Sequence, residues 1–133
     1  MNILVDSNVL LDVLTNDPKW FHWSSQALSI HGERNILAIN PIIYTEISLH
    51  FSTIEALDEA IPEKDFKRLS LPWEAGFLAG QCFLQYRERG GAKRSPLPDF
   101  YIGAHAIIER LILLTRDVTR YKTYFPQLQI IGP

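Results

Sequence analysis

The sequence predicts an α/β protein, a three-layer sandwich with a mostly parallel central sheet of four to five strands. Three observations predict it. Short apolar runs at residues 2–6, 35–39 and 111–115 show no inside/outside alternation, as suits strands covered on both faces. Segments with helical spacing of apolar residues separate them, and alternating strands and helices build parallel sheets. Two of the runs are closed by an acid, Asp6 at once and Asp117 shortly after. In such sheets the ligand site lies outside the carboxyl ends of the strands, where strand order reverses.

Each element has its own signal. After the first strand, Val9, Leu10, Val13 and Leu14 share one side of a helix over residues 7–16. Asp17-Pro18 reads as a cap followed by proline at the first helical position, opening a helix that ends near His31-Gly32. The second strand leads into Asn40-Pro41, the same signal, and a helix through Phe51. Ser52 with Glu55 fits a capping box for a helix ending near Ile61-Pro62. A third strand is expected at residues 66–70. Pro72 opens a long helix through Arg89, stopped by Gly90-Gly91, and Gly76 and Gly80 suggest a close approach along it. Pro98-Asp99 opens a helix to about Arg110, before the fourth strand. A short helix at residues 118–124 and a strand at 128–131 complete the pattern. On the second helix, Trp20, Trp23, Ala27 and Ile30 recur at helical spacing, which suits either ordinary core or a partner surface.

Composition bounds the function. With 133 residues, roughly two-thirds of the chain's surface can be buried, enough for one core, so residues 1–133 are read as a single domain. The 47% hydrophobic and 21% charged fractions argue against a disordered chain. No apolar run is long enough to span a membrane, and no secretory signal is visible. Cys82 is alone, which excludes an internal disulfide and a cysteine zinc cage and makes a reducing cytoplasm the expected location. The net charge of −2 counts weakly against a nucleic-acid binder.

That balance depends on four acids that ordinary roles explain poorly. Asp6 and Asp117 follow apolar strands, Glu46 edges an apolar helix face, and Asp99 begins an apolar helix. Singly, each is consistent with a cap or a boundary residue. Together they fall at the expected ligand edge of one sheet. Two carboxylates about 5 Å apart repel by roughly 3 kcal/mol at an effective dielectric near 20, and a domain of this size holds only about 7–20 kcal/mol of net stability. Clustered acids therefore call for a neutralising cation. Oxygen-only donors select a hard one, Mg2+ or Mn2+, which also acidifies bound water and removes the need for a histidine base. His22, His31, His50 and His105 are scattered and form no motif. Two such ions would turn −2 into +2, a field suited to a phosphodiester. The basic run at residues 86–94, with Arg87, Arg89, Lys93 and Arg94, leads toward Asp99, and Arg116 and Arg120 flank Asp117. These six are candidates for RNA contact, and a solvated helix end and loop account equally for the run.

The residues then resemble a known family. Ile-Leu-Val-Asp-Ser-Asn-Val-Leu-Leu-Asp at 3–12, Tyr44-Thr45-Glu46-Ile47, Pro-Asp-Phe-Tyr-Ile-Gly-Ala-His-Ala at 98–106 and Leu-Leu-Thr-Arg-Asp at 113–117 resemble the four acidic motifs of PIN domains, in order. Length and spacing are similar to VapC-type toxins of prokaryotic toxin–antitoxin pairs. The resemblance implies a PIN-like fold and a metal-dependent endoribonuclease, with Asp6, Glu46, Asp99 and Asp117 as catalytic and metal-binding residues and one or two Mg2+ or Mn2+ ions. It implies supporting roles for Asn8 and Thr115 and for Ser7, which stands where the family commonly has threonine. It implies cleavage to a 5′-phosphate and a 3′-hydroxyl, a homodimer, and a cognate VapB-like antitoxin that can direct a basic side chain into the acidic pocket.

Two other classes compete. A PIN-like module that binds RNA or partners without cutting keeps the same pattern. A receiver-type signalling domain also binds Mg2+ with acids, but it needs adjacent acids at the first strand, a mid-chain acceptor aspartate and a late lysine. Here Ser7 and Asn8 follow Asp6, no mid-chain strand ends in aspartate, and Lys122 is poorly placed.

Overall fold

The chain enters its sheet at the middle. In the computed structural model, which describes residues 1–92 and 97–133, β1 (Asn2–Val5) pairs in parallel with β2 (Ile36–Ile39) on one side and β4 (Ile112–Leu114) on the other. β3 (Lys67–Arg68) and β5 (Ile130–Ile131) form the edges, also parallel, and the order is β3-β2-β1-β4-β5. The sheet is thus the α/β arrangement the apolar runs predict, with all described pairings parallel. The chain moves outward from β1 to β3, then returns to the opposite side of β1, so strand order reverses between β1 and β4.

The central strands are apolar because both faces are covered. Ile3, Leu4, Val5, Leu113 and Leu114 are buried, and each such side chain contributes about 1.5–3 kcal/mol relative to exposure. The edge strands are two residues each, shorter than expected, and β3 is made of the exposed pair Lys67 and Arg68. A short, charged edge such as β3 discourages pairing with another chain.

Around the sheet lie α1 (Ser7–Leu14), α2 (Phe21–Gly32), α3 (Pro41–Ser48), α4 (Ile54–Ala60), α5 (Trp73–Glu88), α6 (Pro98–Ile108) and α7 (Val118–Tyr124). α1 packs on α2 and α3, and α5 lies along α6, which also touches α3 and α7. An aromatic cluster joins the last three of these helices. The Phe100 and Tyr124 ring centroids are 4.5 Å apart, and Tyr86 meets Phe100 at 5.7 Å. Trp20 and Trp23 are half-buried and meet edge to face at 6.1 Å, Ala27 is buried and Ile30 is exposed. Among the described residues, no helix is long and apolar enough to cross a membrane.

Several local expectations shift. Asp17 does cap, accepting from the Lys19 and Trp20 amides at 2.9 and 2.8 Å, but the next residues form a turn and α2 starts at Phe21. The cap of α4 is Thr53, whose hydroxyl accepts from the Ala56 amide at 3.1 Å, rather than Ser52. α3 ends at Ser48, before Phe51. Gly76 and Gly80 meet nothing that a methyl group would touch, whereas a Cβ on Gly103 would lie 2.3 Å from the Phe125 ring. The close approach is therefore on α6.

Candidate active site

The site follows from register. Val5 pairs with Leu114 and Leu4 with Ala38, so the next residues along, Asp6, Thr115 and Asn40, emerge side by side at the carboxyl edge. The Asp6 amide continues the ladder by donating to the Leu114 carbonyl at 2.9 Å. Side chains then join the two strand ends. Thr115 Oγ1 donates to Asp6 Oδ2 at 2.8 Å and accepts from the Asp117 amide at 3.0 Å. Asn8 Nδ2 lies 3.3 Å from both Asp6 Oδ2 and Thr115 Oγ1, and Asn8 Oδ1 accepts from the Arg116 amide at 3.3 Å.

Two further acids reach this edge from helices. Ser7 Oγ donates to Glu46 Oε1 at 2.8 Å, which ties α3 to the start of α1. Asp99 sits in the first turn of α6, where the helix dipole favours an anion. Its Oδ2 accepts from Arg120 Nη1 at 2.8 Å and its Oδ1 from the Tyr121 hydroxyl at 3.2 Å. Arg120 Nη1 is also 3.9 Å from Asp117 Oδ2.

The electrostatics record the convergence. Asp6 is 3% exposed. Its pKa is pushed up to about 7, first by burial and then by the charges of Asp99 and Glu46, against the Thr115 hydrogen bond. Glu46 is raised by burial and by Asp99, with Ser7 opposing. The buried Tyr121 phenol is held well above its ordinary range by burial and by Asp6 and Asp99, so it remains a donor. Asp99 and Glu46 therefore act on Asp6, Asp99 acts on Glu46, and Arg120 links Asp99 to Asp117.

A metal can be tested against this set. Among the described residues, no three His, Cys, Asp or Glu side chains form a ready-made ion site. The donor chemistry nonetheless suits a hard divalent cation, because the groups are all oxygens and a buried carboxyl sits under neighbouring negative charge. Mg2+ commonly takes only one or two carboxylates and completes its shell with water and phosphate oxygens.

The basic candidates divide. Arg120 joins the acids. Arg116 turns the other way: its Nε and Nη2 donate to the two Asp12 carboxylate oxygens at 2.6 and 2.9 Å. Ser24 Oγ adds a 2.6 Å bond to the same buried carboxylate, and the guanidinium lies 5.1 Å from the Trp20 ring centroid. Arg87 donates to the Ala92 carbonyl at 3.5 Å. Arg89 is exposed at the end of α5. Lys93 and Arg94 lie outside the described residues.

Sequence reasoning missed two groups. Tyr121 lies four residues after Asp117, one helical turn on, and that spacing was the available signal. Asp12 falls inside the motif at residues 3–12 without a partner assigned to it, and nothing local marks its partner Arg116.

The fold and site define a parallel α/β domain with an acidic cluster at its switch point. Compared with protein families, the chain matches the PIN domain over residues 3–125 and belongs to that family. Solved structures agree on the fold. The chain is similar to VapBC2 from Rickettsia felis, bound to a promoter DNA fragment, at 18% identity, TM-score 0.76, covering 100% of this chain and 99% of that one. It is similar to VapBC-1 from nontypeable Haemophilus influenzae at 18% identity, TM-score 0.73, covering 99% and 98%. A toxin–antitoxin complex from Klebsiella pneumoniae matches at 22% identity, TM-score 0.72, covering 98% and 97%. Among curated proteins none matches.

Proposed function

We propose that the chain is a metal-dependent endoribonuclease of the VapC type, the toxin of a type II toxin–antitoxin pair. The observation that carries this reading is Asp6, a carboxyl at the end of the central strand whose pKa is raised first by burial and then by Asp99 and Glu46. Such a group is stable when protonated or when a cation neutralises it. Asp6, Glu46, Asp99 and Asp117 hold one or two Mg2+ or Mn2+ ions. A divalent ion there supplies positive charge for a phosphate and acidifies water for attack on the phosphodiester.

The chain's own groups do the rest. Thr115 and Asn8 hold Asp6 Oδ2, Ser7 holds Glu46, and Tyr121 holds Asp99 Oδ1. Arg120 keeps Asp99 and Asp117 partly neutralised and is then placed to meet an RNA phosphate. The products are a 5′-phosphate and a 3′-hydroxyl. The protein works in the cytoplasm, forms a homodimer and is held in check by a VapB-like antitoxin. The similar structures from Rickettsia, Haemophilus and Klebsiella support that partnership, since those proteins were solved as VapBC or toxin–antitoxin assemblies.

A second reading, a catalytically silent PIN module, draws on Arg120 standing as a cation beside Asp99. One experiment separates the two. Purified protein is incubated with total RNA in Mg2+, in Mn2+ and in EDTA, beside Asp99→Asn, and the new RNA ends are mapped. Discrete 5′-phosphate ends that need metal and Asp99 are expected. RNA left intact in both metals sinks the nuclease reading.

A further inference from the structure

Beside the acidic crevice is a second feature that the acids do not use. A cavity of about 380 Å³ lies between the end of α5 and α7, lined by Gln85, Tyr86, Arg89, Gly91, Thr123 and Tyr124, among others. Its size falls within the roughly 300–1,000 Å³ of small-molecule sites. Two aromatic walls meet edge to face, with the Tyr86 and Tyr124 centroids 6.1 Å apart at 89°. The Gly91 backbone closes against the Tyr86 ring, where a Cβ would lie 2.3 Å from it. Gln85 offers an amide with both donor and acceptor, and Thr123 a hydroxyl. Among the described lining residues the one ionic group is the cation Arg89.

The cavity is joined to the acidic crevice in two ways. Tyr124 is one helical turn beyond Arg120, so their Cβ atoms are about 5–6 Å apart, and Arg120 donates to Asp99. The Tyr124 ring also packs on Phe100, the residue after Asp99. The tyrosine wall of the cavity is therefore continuous, through Phe100 and α7, with the segments that carry Asp99 and Arg120.

We propose that this cavity is the subsite for a single unstacked nucleobase of the RNA strand, next to the phosphate that is cut. The base stacks on Tyr124, Gln85 meets its edge, and Arg89 meets the backbone phosphate beyond it. Aromatic faces take any base, and the amide supplies preference. The inference rests on the ribonuclease reading and deepens it: the cavity, rather than the acids, selects where the strand is cut.

The test is binding without cleavage. Fluorescent single-stranded RNA oligonucleotides, intact or with one abasic nucleotide placed at each position in turn, are titrated with the full chain in EDTA at low salt. The same series is run with Thr123→Trp, which fills the cavity from an exposed position, and with Arg89→Ala. Thermal melts check that both variants fold, and Tyr124→Leu is a third arm. One abasic position is expected to weaken wild-type binding about tenfold, the scale of one base–aromatic stack. That lesion is expected to have no effect in Thr123→Trp. Arg89→Ala is expected to weaken every oligonucleotide alike. Equal losses at all positions, or a position-specific loss that persists in Thr123→Trp, overturns the subsite. If RNA is cut normally in metal while no base position stands out, the subsite fails and the nuclease stands. If Thr123→Trp breaks a dimer in sedimentation and leaves RNA binding untouched, the cavity belongs to a second copy and the proposal is overturned. RNA that neither binds nor is cut removes both readings.

Discussion

Arg120 and Asp99 share a 2.8 Å hydrogen bond between α7 and α6, with Asp117 3.9 Å from the same guanidinium nitrogen. The pair places a resident cation at the mouth of an acidic crevice. Arg120 is half exposed and can leave. On the proposed metal-binding reading it competes with a divalent ion for the acids and is available for phosphate once displaced. Arg120→Ala is expected to bind Mn2+ several-fold more tightly and RNA more weakly, with the salt slope of RNA binding reduced by about 1. Titration calorimetry with Mn2+, and RNA binding across a salt series, measure both. Unchanged Mn2+ affinity removes the competition.

Asp6→Asn deletes a charge that burial disfavours and keeps one acceptor oxygen, for either the Ser7 amide or the Thr115 hydroxyl, which bond different oxygens of the carboxylate. Metal-dependent cleavage is expected to fall by orders of magnitude. In EDTA the melting temperature is expected to hold or rise, because repulsion from Asp99 and Glu46 is relieved. A large drop in melting temperature marks Asp6 as structural.

Arg116→Ala strands Asp12, which is 2% exposed and, among the described residues, keeps the Ser24 hydroxyl as its side-chain partner. Removing one partner of a buried ion pair costs about 3–5 kcal/mol, and the partial exposure of Arg116 places this change near the low end. Urea unfolding reads the loss. Adding Asp12→Asn is expected to recover part of it, and a loss that stays whole in the double variant rules out the stranded charge.

His105 is fully buried on α6. Its Nδ1 lies 2.9 Å from Asn40 Nδ2, while Asn40 Oδ1 caps α3 by accepting from the Ile43 amide. The amide nitrogen must therefore donate, so Nδ1 accepts and the ring is neutral. Burial lowers its pKa, against a weaker pull from Glu109. A lowered pKa contributes stability that is present above the unfolded value, about 6.5, and is lost as pH falls through the folded one. Wild type is expected to lose more stability than His105→Gln between pH 7.5 and 5.5, by urea unfolding in EDTA. Asp6 contributes a change of opposite sign common to both proteins. Parallel profiles count against a neutral buried His105.

Much of this was legible because the strands are apolar and the sheet is parallel. The run ending at Asp6 and the run before Asp117 specify two central strands, and a reversal between them brings those acids to one edge. Asn40-Pro41 announced its helix because the cap is local chemistry. What stayed hidden was long-range. Arg116 and Asp12 are 104 residues apart, so their pairing leaves no local trace. The Gly76–Gly80 spacing suggested a contact that occurs instead at Gly103, since a glycine says that space is available and not what fills it. Ser52 and Thr53 are both competent caps, and only the path of the chain chooses Thr53.

The central claim is that carboxyls far apart in sequence share one cation. Manganese binding to metal-free wild type, Asp6→Asn and Asp99→Asn, read by titration calorimetry, tests it most directly. The account predicts that either substitution weakens the same site at least tenfold while the fold persists. Wild-type affinity in both variants contradicts it.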